Sequence, residues 1–595
     1  MKLPFATIIV TLALIGLSCS TVPPSQGGST VPSLPHPATC DGIHDFFAQE
    51  LRKYQDGIDE ANREYQEEEW QIKTADPKGS QEKLSQLFEQ VQKRTYDSQI
   101  LTQAQRLDDS TQDLLHCAFK PELSRARHMF DATILTNPEV IHKEKENADW
   151  QERLVGRNDA FRLALPDEKE PVSRALYAKK LSLTTDRSVR RKLYVGYNAA
   201  RAKHWIDWGF RDLIKSRNEE ARLAGFDNYY DYQFFRNQLD LKNYLALVSQ
   251  VRDRLAPKLA AAIRKLGVDH KLLHVQAWDL PYLRAQAESG DLDDLLKKLP
   301  ADVIMPIARE FYSGLGISVE DYHFTMDLYP RSGKDTHAFA MGVVLPHVDE
   351  QGKLLPEPKT DIRFLANLKV PVRWTDVSTV IHELGHAVHA ANIRQPIGVF
   401  RDMGSVGTEA IAMTLERMAG TDEFMGAILP KYTGTSPDAL KPILAKQVRG
   451  ARFAQAYMLT RQIFFSDFEH QMYLHPDADF AKLWSRLHKQ YWGVQIIPRY
   501  ADWDVEHFLP YPVYVQNYAI GIVMVEQLYA SILRDFHTSY DSSALGDKLR
   551  NVYFAPGTEF TYLDLVEHFS GSPLSADDAM KLMDQTEFSA PTESN

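Results

Sequence analysis

Residues 376–389 read DVSTVIHELGHAVH, and the rest of the chain is best read outward from them. His382 and His386 stand four apart, so on a helix both imidazoles leave one face and can share a metal ion. Glu383 is then turned toward the open side of that ion, where it can take a proton from bound water. Val377, Val380, Ile381, Leu384 and Val388 supply the apolar positions of a buried helix, with Thr375 or Asp376 as its expected N-cap. A core helix carrying two satisfied histidines is the competing reading. A third ligand separates the two, because a catalytic zinc site takes three protein ligands and leaves one position for water.

GTEAIAMTLERMAG at 407–420 is the next helical stretch, and it offers Glu409 and Glu416, seven apart and on one face. Twenty-two residues lie between His386 and Glu409. That length is enough to end one helix, cross a loop containing Pro396 and Gly398, and bring a second helix alongside. Glu409 is the expected third ligand. Glu416, about 10 Å further along its helix, is expected to support the ligands from behind. His389 lies off the centre of the pair's face and is expected to pack rather than ligate.

The surrounding chain is predominantly helical. From Ile43, apolar residues fall at 43, 47, 51, 54, 58, 61 and 65, the stripe of an amphipathic helix. Similar spacing recurs through 80–118, 172–224 and 243–266, with Pro77, Gly225 and Gly267 as punctuation. Charge runs such as Glu67-Glu68-Glu69 are expected on solvated helix faces. Strand-like stretches are few, and the clearest is His337 to Leu345, bounded by Gly333 and Pro346. The expected class is therefore mainly α with a small sheet.

These motifs together resemble the gluzincin metallopeptidases, and specifically the thimet oligopeptidase family with its relative, the angiotensin-converting enzyme family. DVSTVIHELGHAVH and EAIAMTLE resemble the oligopeptidase zinc-ligand segments. DLYPRSGKDTHAFA at 327–340, AWDLPYL at 277–283 and RNEEARLAGFDNYYDY at 217–232 are similar to further stretches of the same families. The resemblance implies a large two-lobed helical peptidase with a deep central cleft and a small β-sheet beside the zinc helix. It also implies one Zn²⁺ per chain on His382, His386 and Glu409, short peptides as substrates, and Glu383 as base.

In DWDVEHFLPYPVYVQNYAIG at 502–521, His507, Tyr511, Tyr514 and Tyr518 cluster. In the resembled families such residues line the cleft opposite the metal. The likeness of PYPVY to the converting-enzyme pattern assigns Tyr514 to the oxyanion, with Tyr518 as alternative donor, Tyr511 to substrate binding and His507 to assisting. An aromatic cluster that only packs the core is the competing reading. His337, Ala338 and Ala340 resemble the edge strand that pairs with substrate backbone, against a purely structural strand. Val505 and Val513 stand where the converting enzymes carry a substrate-binding lysine and a chloride-binding arginine. Endopeptidase and dipeptidyl carboxypeptidase action both remain open. The reading from a different class is a catalytically inactive peptide-binding lipoprotein of the same fold, against which the intact Glu383 argues.

At the start, Lys2 and an apolar run of fifteen residues from Leu3 to Leu17 match a signal peptide, too short for a spanning helix of about 20 residues. Cys19 after a small residue resembles a bacterial lipobox, with ordinary cleavage after Ser20 as the competing reading. The expected organisation is a signal peptide at 1–18, a tether at 19–39, one helical body at 40–590 with its zinc-binding part at about 320–530, and a tail at 591–595. Export to the bacterial envelope or periplasm, lipid-anchored or soluble, follows from this reading. A monomer is expected.

Cys40 and Cys117 form an even pair suited to an oxidising compartment, against two unrelated thiols. With 595 residues, length allows roughly four average domains. Sixty-eight basic against eighty acidic residues, net −12, argue against a nucleic-acid binder. Three cysteines exclude a disulfide-built scaffold and a four-cysteine zinc module.

Overall fold

The structure, a computed structural model, describes residues 37–164, 170–287 and 290–584. The signal peptide, Cys19, most of the tether and the tail lie outside the described residues. The chain is mainly α, with a small three-stranded sheet.

The helices that build and brace the site are α1 (Arg52–Lys73), α2 (Pro138–Ala160), α3 (Arg187–Asp207), α4 (Phe210–Leu223), α5 (Ile304–Gly314), α6 (Trp374–Ala391), α7 (Ser405–Ala419), α8 (Pro437–Leu474), α9 (Phe480–Trp492) and α10 (Val515–Phe536). The strands are β1 (Thr325–Asp327), β2 (Phe339–Val344) and β3 (Asp361–Leu365).

Helix α6 is buried on every side, as a helix that is apolar all round must be. Its N-cap is Arg373 rather than Thr375 or Asp376. Asp376 sits one turn in, where its carboxylate accepts the backbone N–H of Arg373 at 2.9 Å. An acid in the first turn satisfies an otherwise orphaned donor there and suits the helix dipole. Helix α7 packs along α6 and α10 along α7, so three consecutive layers of helix carry the site. Gly385 permits the first of these contacts. A Cβ there would meet Leu415 Cδ1 at 2.9 Å and Ala412 Cα at 3.4 Å.

The sheet runs in the order β1-β3-β2, with β1 parallel and β2 antiparallel to β3. Strand β2 falls inside the stretch singled out by sequence. Its apolar residues Phe339, Met341 and Val343 pack on Trp70 of α1, while Ala340 packs against Ala387, Ala390 and Ala391 of α6. Alternation along the strand thus fixes one face to the metal-motif helix.

A main core runs from Val140 to Met583, and a satellite core gathers Ile43, Phe46, Leu101, Cys117, Leu123, Phe130 and Phe400. Cys40 and Cys117 are joined there, their Cα atoms 5.5 Å apart. Phe400 belongs to the loop between α6 and α7, so the satellite core also anchors the link between those two helices.

Two expectations are corrected. Gly267 does not end a helix but lies within Ala256–Asp269; a Cβ there would meet Val275 Cγ2 at 2.5 Å, so close packing explains the glycine. In the Glu67-Glu68-Glu69 run, Glu68 is buried, accepting the Ser80 backbone N–H at 2.6 Å and pairing with Lys83 at 2.6 Å. A charge run on a helix turns one member inward when the following turn offers donors.

Candidate metal centre and active site

The side chains of His382, His386 and Glu409 converge. The two Nε2 atoms are 3.1 Å apart, and the Glu409 oxygens lie 3.6 Å from His382 Nε2 and 3.7 Å from His386 Nε2. With metal bonds near 2.05 Å, tetrahedral ligand atoms sit about 3.3 Å from one another, so the three groups are spaced to hold one ion.

Both histidines are oriented from behind. His386 Nδ1 bonds Thr408 Oγ1 at 2.9 Å, and with the proton on Nδ1 the Nε2 lone pair is left to face the cluster. His382 Nδ1 lies 3.4 Å from Glu416 Oε2, and Ser378 Oγ donates to Glu416 Oε1 at 2.9 Å. Glu416 therefore stands where the heptad spacing places it, touching a ligand rather than replacing one. His389 is buried and stacks on Phe554 at 4.9 Å, its pKa driven down to about 3 by burial.

Charges within the cluster are strongly coupled. Burial opposes a charge on His382, but Glu409, Glu416 and Glu383 around it more than compensate and raise it to about 9. His386 falls well below its ordinary value through burial and the His382 charge. Burial raises Glu409, against the pull of His382. Glu416 ends below the usual carboxylate range, since His382 and the Ser378 bond outweigh its burial.

Glu383 is fully buried, and neither carboxylate oxygen completes a hydrogen bond. Burial pushes it up to about 8, eased by His382 and, more weakly, by the Ala340 backbone amide of β2. An orphaned buried carboxylate costs stability. The Glu383 carboxylate adjoins three side chains that could hold a metal ion.

The four aromatic residues of the 502–521 stretch gather in one cluster. His507 lies 6.2 Å from Tyr511 and 6.1 Å from Tyr518, and Tyr514 lies 5.5 Å from Tyr518, ring centre to ring centre. Burial and the Glu409 charge push Tyr514 up to about 12, and both also raise Tyr518. Both phenols therefore feel the Glu409 charge and stay protonated at neutral pH. Burial and then Arg461 push His507 down to about 4, so its ring is neutral. Tyr511 is 47% exposed and open to an incoming ligand.

The loop bearing these rings is braced by groups that sequence reading did not single out. Arg217 of α4 donates to Phe508 O at 3.1 Å and Leu509 O at 3.3 Å, and Gln151 of α2 donates to Pro510 O at 3.2 Å. Glu469 of α8 accepts the Val513 N–H. Thr408 was likewise missed, although its position directly before Glu409 in the segment was a usable signal.

His337 is not brought to the ligand cluster. Its Nδ1 bonds Asp335 at 3.0 Å and its side chain is largely exposed. Ala338 is partly buried against the main core.

Among solved structures, the chain is similar to PZ peptidase A with an inhibitor. The TM-score is 0.56 over 90% of this chain and 96% of that one, at 14% identity, a likeness of fold. A family model described as Peptidase family M3 matches residues 181–585. That match covers more than half of the sequence and takes in the converging ligands, Glu383 and the tyrosine loop, so this chain belongs to peptidase family M3 and is a metallopeptidase.

Proposed function

We propose that the chain hydrolyses peptide bonds of short peptides, as an oligopeptidase or dipeptidyl carboxypeptidase, with one Zn²⁺ held by His382, His386 and Glu409. The observation that carries this reading is the unpartnered Glu383 carboxylate beside three ligand atoms of suitable spacing and chemistry. When bound, zinc supplies a Lewis acid for the scissile carbonyl and lowers the pKa of a bound water to about 7. His382 gives up its proton on binding the ion.

Glu383 takes the proton as water adds to the carbonyl carbon, and returns it to the leaving nitrogen as the C–N bond breaks. Tyr514, protonated and preorganised, donates to the developing oxyanion, a contribution of about 3 kcal/mol. Tyr518 is the alternative donor. Neutral His507 assists, and exposed Tyr511 contacts substrate. The β2 edge at Ala340, with Ala338 directly before the strand, can pair with an extended substrate backbone, which gives affinity without strong sequence preference.

The proposal extends to location. The Cys40–Cys117 bond suits an exported protein, in keeping with a signal peptide and lipidated Cys19. Among the described residues no helix is long and apolar enough to cross a membrane.

The test is Glu383→Gln. Metal content by mass spectrometry should stay at one zinc per chain while cleavage of quenched peptides disappears. Equal turnover in both proteins would defeat the proposal. Product mapping of the parent enzyme then separates dipeptide release from internal cleavage.

A further inference from the structure

Glu383, Glu409 and Glu416 crowd the metal end, whereas Arg461, midway along α8, lies close enough to His507 for its charge to lower that ring's pKa, and the Phe465 ring it approaches is 6.4 Å from that of Phe508, the next residue. The Arg461 guanidinium carbon lies 4.5 Å from the centre of the Phe465 ring, and the residue keeps partial solvent access. Among the described residues no carboxylate lies within ion-pair distance of it and no acceptor bonds it.

The nearby acids are already engaged. Asp504 pairs with Arg201 and lies 3.8 Å from Arg174, which also reaches Glu506 at 3.6 Å. Asp502 accepts from Tyr194 at 3.1 Å and from Trp484 at 3.0 Å. Arg284, lying 5.3 Å from the Tyr457 ring centre, adds a further positive charge to the neighbourhood. Burial brings Arg461 down to about 10, opposed by Tyr457 and more weakly by Asp502, with Arg284 and Arg174 pushing the same way as burial.

The contact with Phe465 offsets part of the desolvation that a buried cation without an ion-pair partner costs, but it leaves the N–H donors unused. What the cation offers is a receptor. A guanidinium is a planar fork that matches a carboxylate two bonds at a time. We propose that Arg461 is a substrate-binding residue that recognises a carboxylate of the peptide, either the C-terminal group or an Asp or Glu side chain, on the His507 side of the scissile bond. The inference rests on the peptidase reading and names the class of peptide it favours.

The test measures binding rather than turnover, so failure of the Glu383 role would leave it readable. Labelled peptides are titrated by fluorescence anisotropy into the full chain carrying Glu383→Gln. Three are used: a neutral peptide with a free C-terminus, the same peptide amidated, and the amidated peptide with one aspartate near its end. At least one carboxylate-bearing peptide should bind roughly tenfold tighter than the neutral amide, and which one does so identifies the source.

Adding Arg461→Gln should cut that preference to within about twofold, and Arg461→Lys, which keeps charge but loses the fork, should lose roughly fivefold. Melting temperatures are recorded for both variants. No preference in the parent, or a preference kept within about twofold of the parent's in whichever variant folds, overturns the proposal.

Discussion

Glu469 accepts the backbone N–H of Val513 at 2.8 Å, so a carboxylate from α8, forty-four residues earlier in the chain, holds the residue directly before Tyr514. Val513 has φ +53°, a region that branched side chains rarely adopt. Burial, opposed by the Val513 N–H and the Arg217 charge, raises Glu469 to about 8, so at neutral pH it is largely protonated. Glu469→Ala would leave a buried N–H unpaired at a cost of about 1–3 kcal/mol and release the strained turn. We expect kcat/KM to fall roughly tenfold or more, while Glu469→Gln, which keeps the acceptor, stays within about threefold. Equal loss in both variants would show that the hydrogen bond is not what positions the loop.

Glu416 should govern metal affinity without being a ligand. It touches His382 Nδ1 at 3.4 Å, and Ser378 fixes its other oxygen. Glu416→Ala should weaken zinc binding about 10–100-fold, as seen when such supports are removed. Competition with a chelator measures this, and an unchanged affinity would reduce the contact to a spectator.

Gly385→Ala places a methyl against Leu415 and the Ala412 backbone. The leucine end must shift and the Tyr312 hydroxyl, 3.3 Å from the added methyl, must give, so overpacking should cost about 1 kcal/mol. Because α7 carries Glu409, the same change should loosen the ion. A fall in melting temperature together with faster zinc release is expected.

Cys117→Ser opens a loop of 77 residues. In the chain-entropy model the bond is worth about 4 kcal/mol. Thermal unfolding with and without reductant should show a lower midpoint for both the variant and the reduced parent, and the two should coincide.

His488 is buried, its Nδ1 2.6 Å from the Val494 carbonyl, and burial lowers its pKa from 6.5 to about 4. Between those values the unfolded chain binds more protons than the folded one, so stability falls as pH drops from 6.5 toward 4. His488→Asn keeps a donor to the carbonyl but does not titrate. Its melting temperature should decline less steeply over this range than the parent's.

Much of the site was legible because its chemistry is local in sequence. The four-residue spacing of His382 and His386 fixes their common face, and the seven-residue spacing of Glu409 and Glu416 fixes theirs. The expectation that Glu416 stands behind the ligands needed only the rise of a helix. The edges of elements were less legible. Arg373, not Thr375 or Asp376, precedes α6, because a cap is settled by which acceptor reaches which orphaned N–H. Glu68 turned inward for the same reason.

The helical class and the two helices that carry His382, His386 and Glu409 were already written in the chain, since each depends on periodicity within one segment. Only the tertiary structure decided that Thr408 orients His386, that Glu469 and Arg217 hold the tyrosine loop, and that Arg461 is left without an acid. Those facts rest on hydrogen bonds and charges between residues tens to hundreds of positions apart, and no local pattern encodes which distant partner a packed core will deliver.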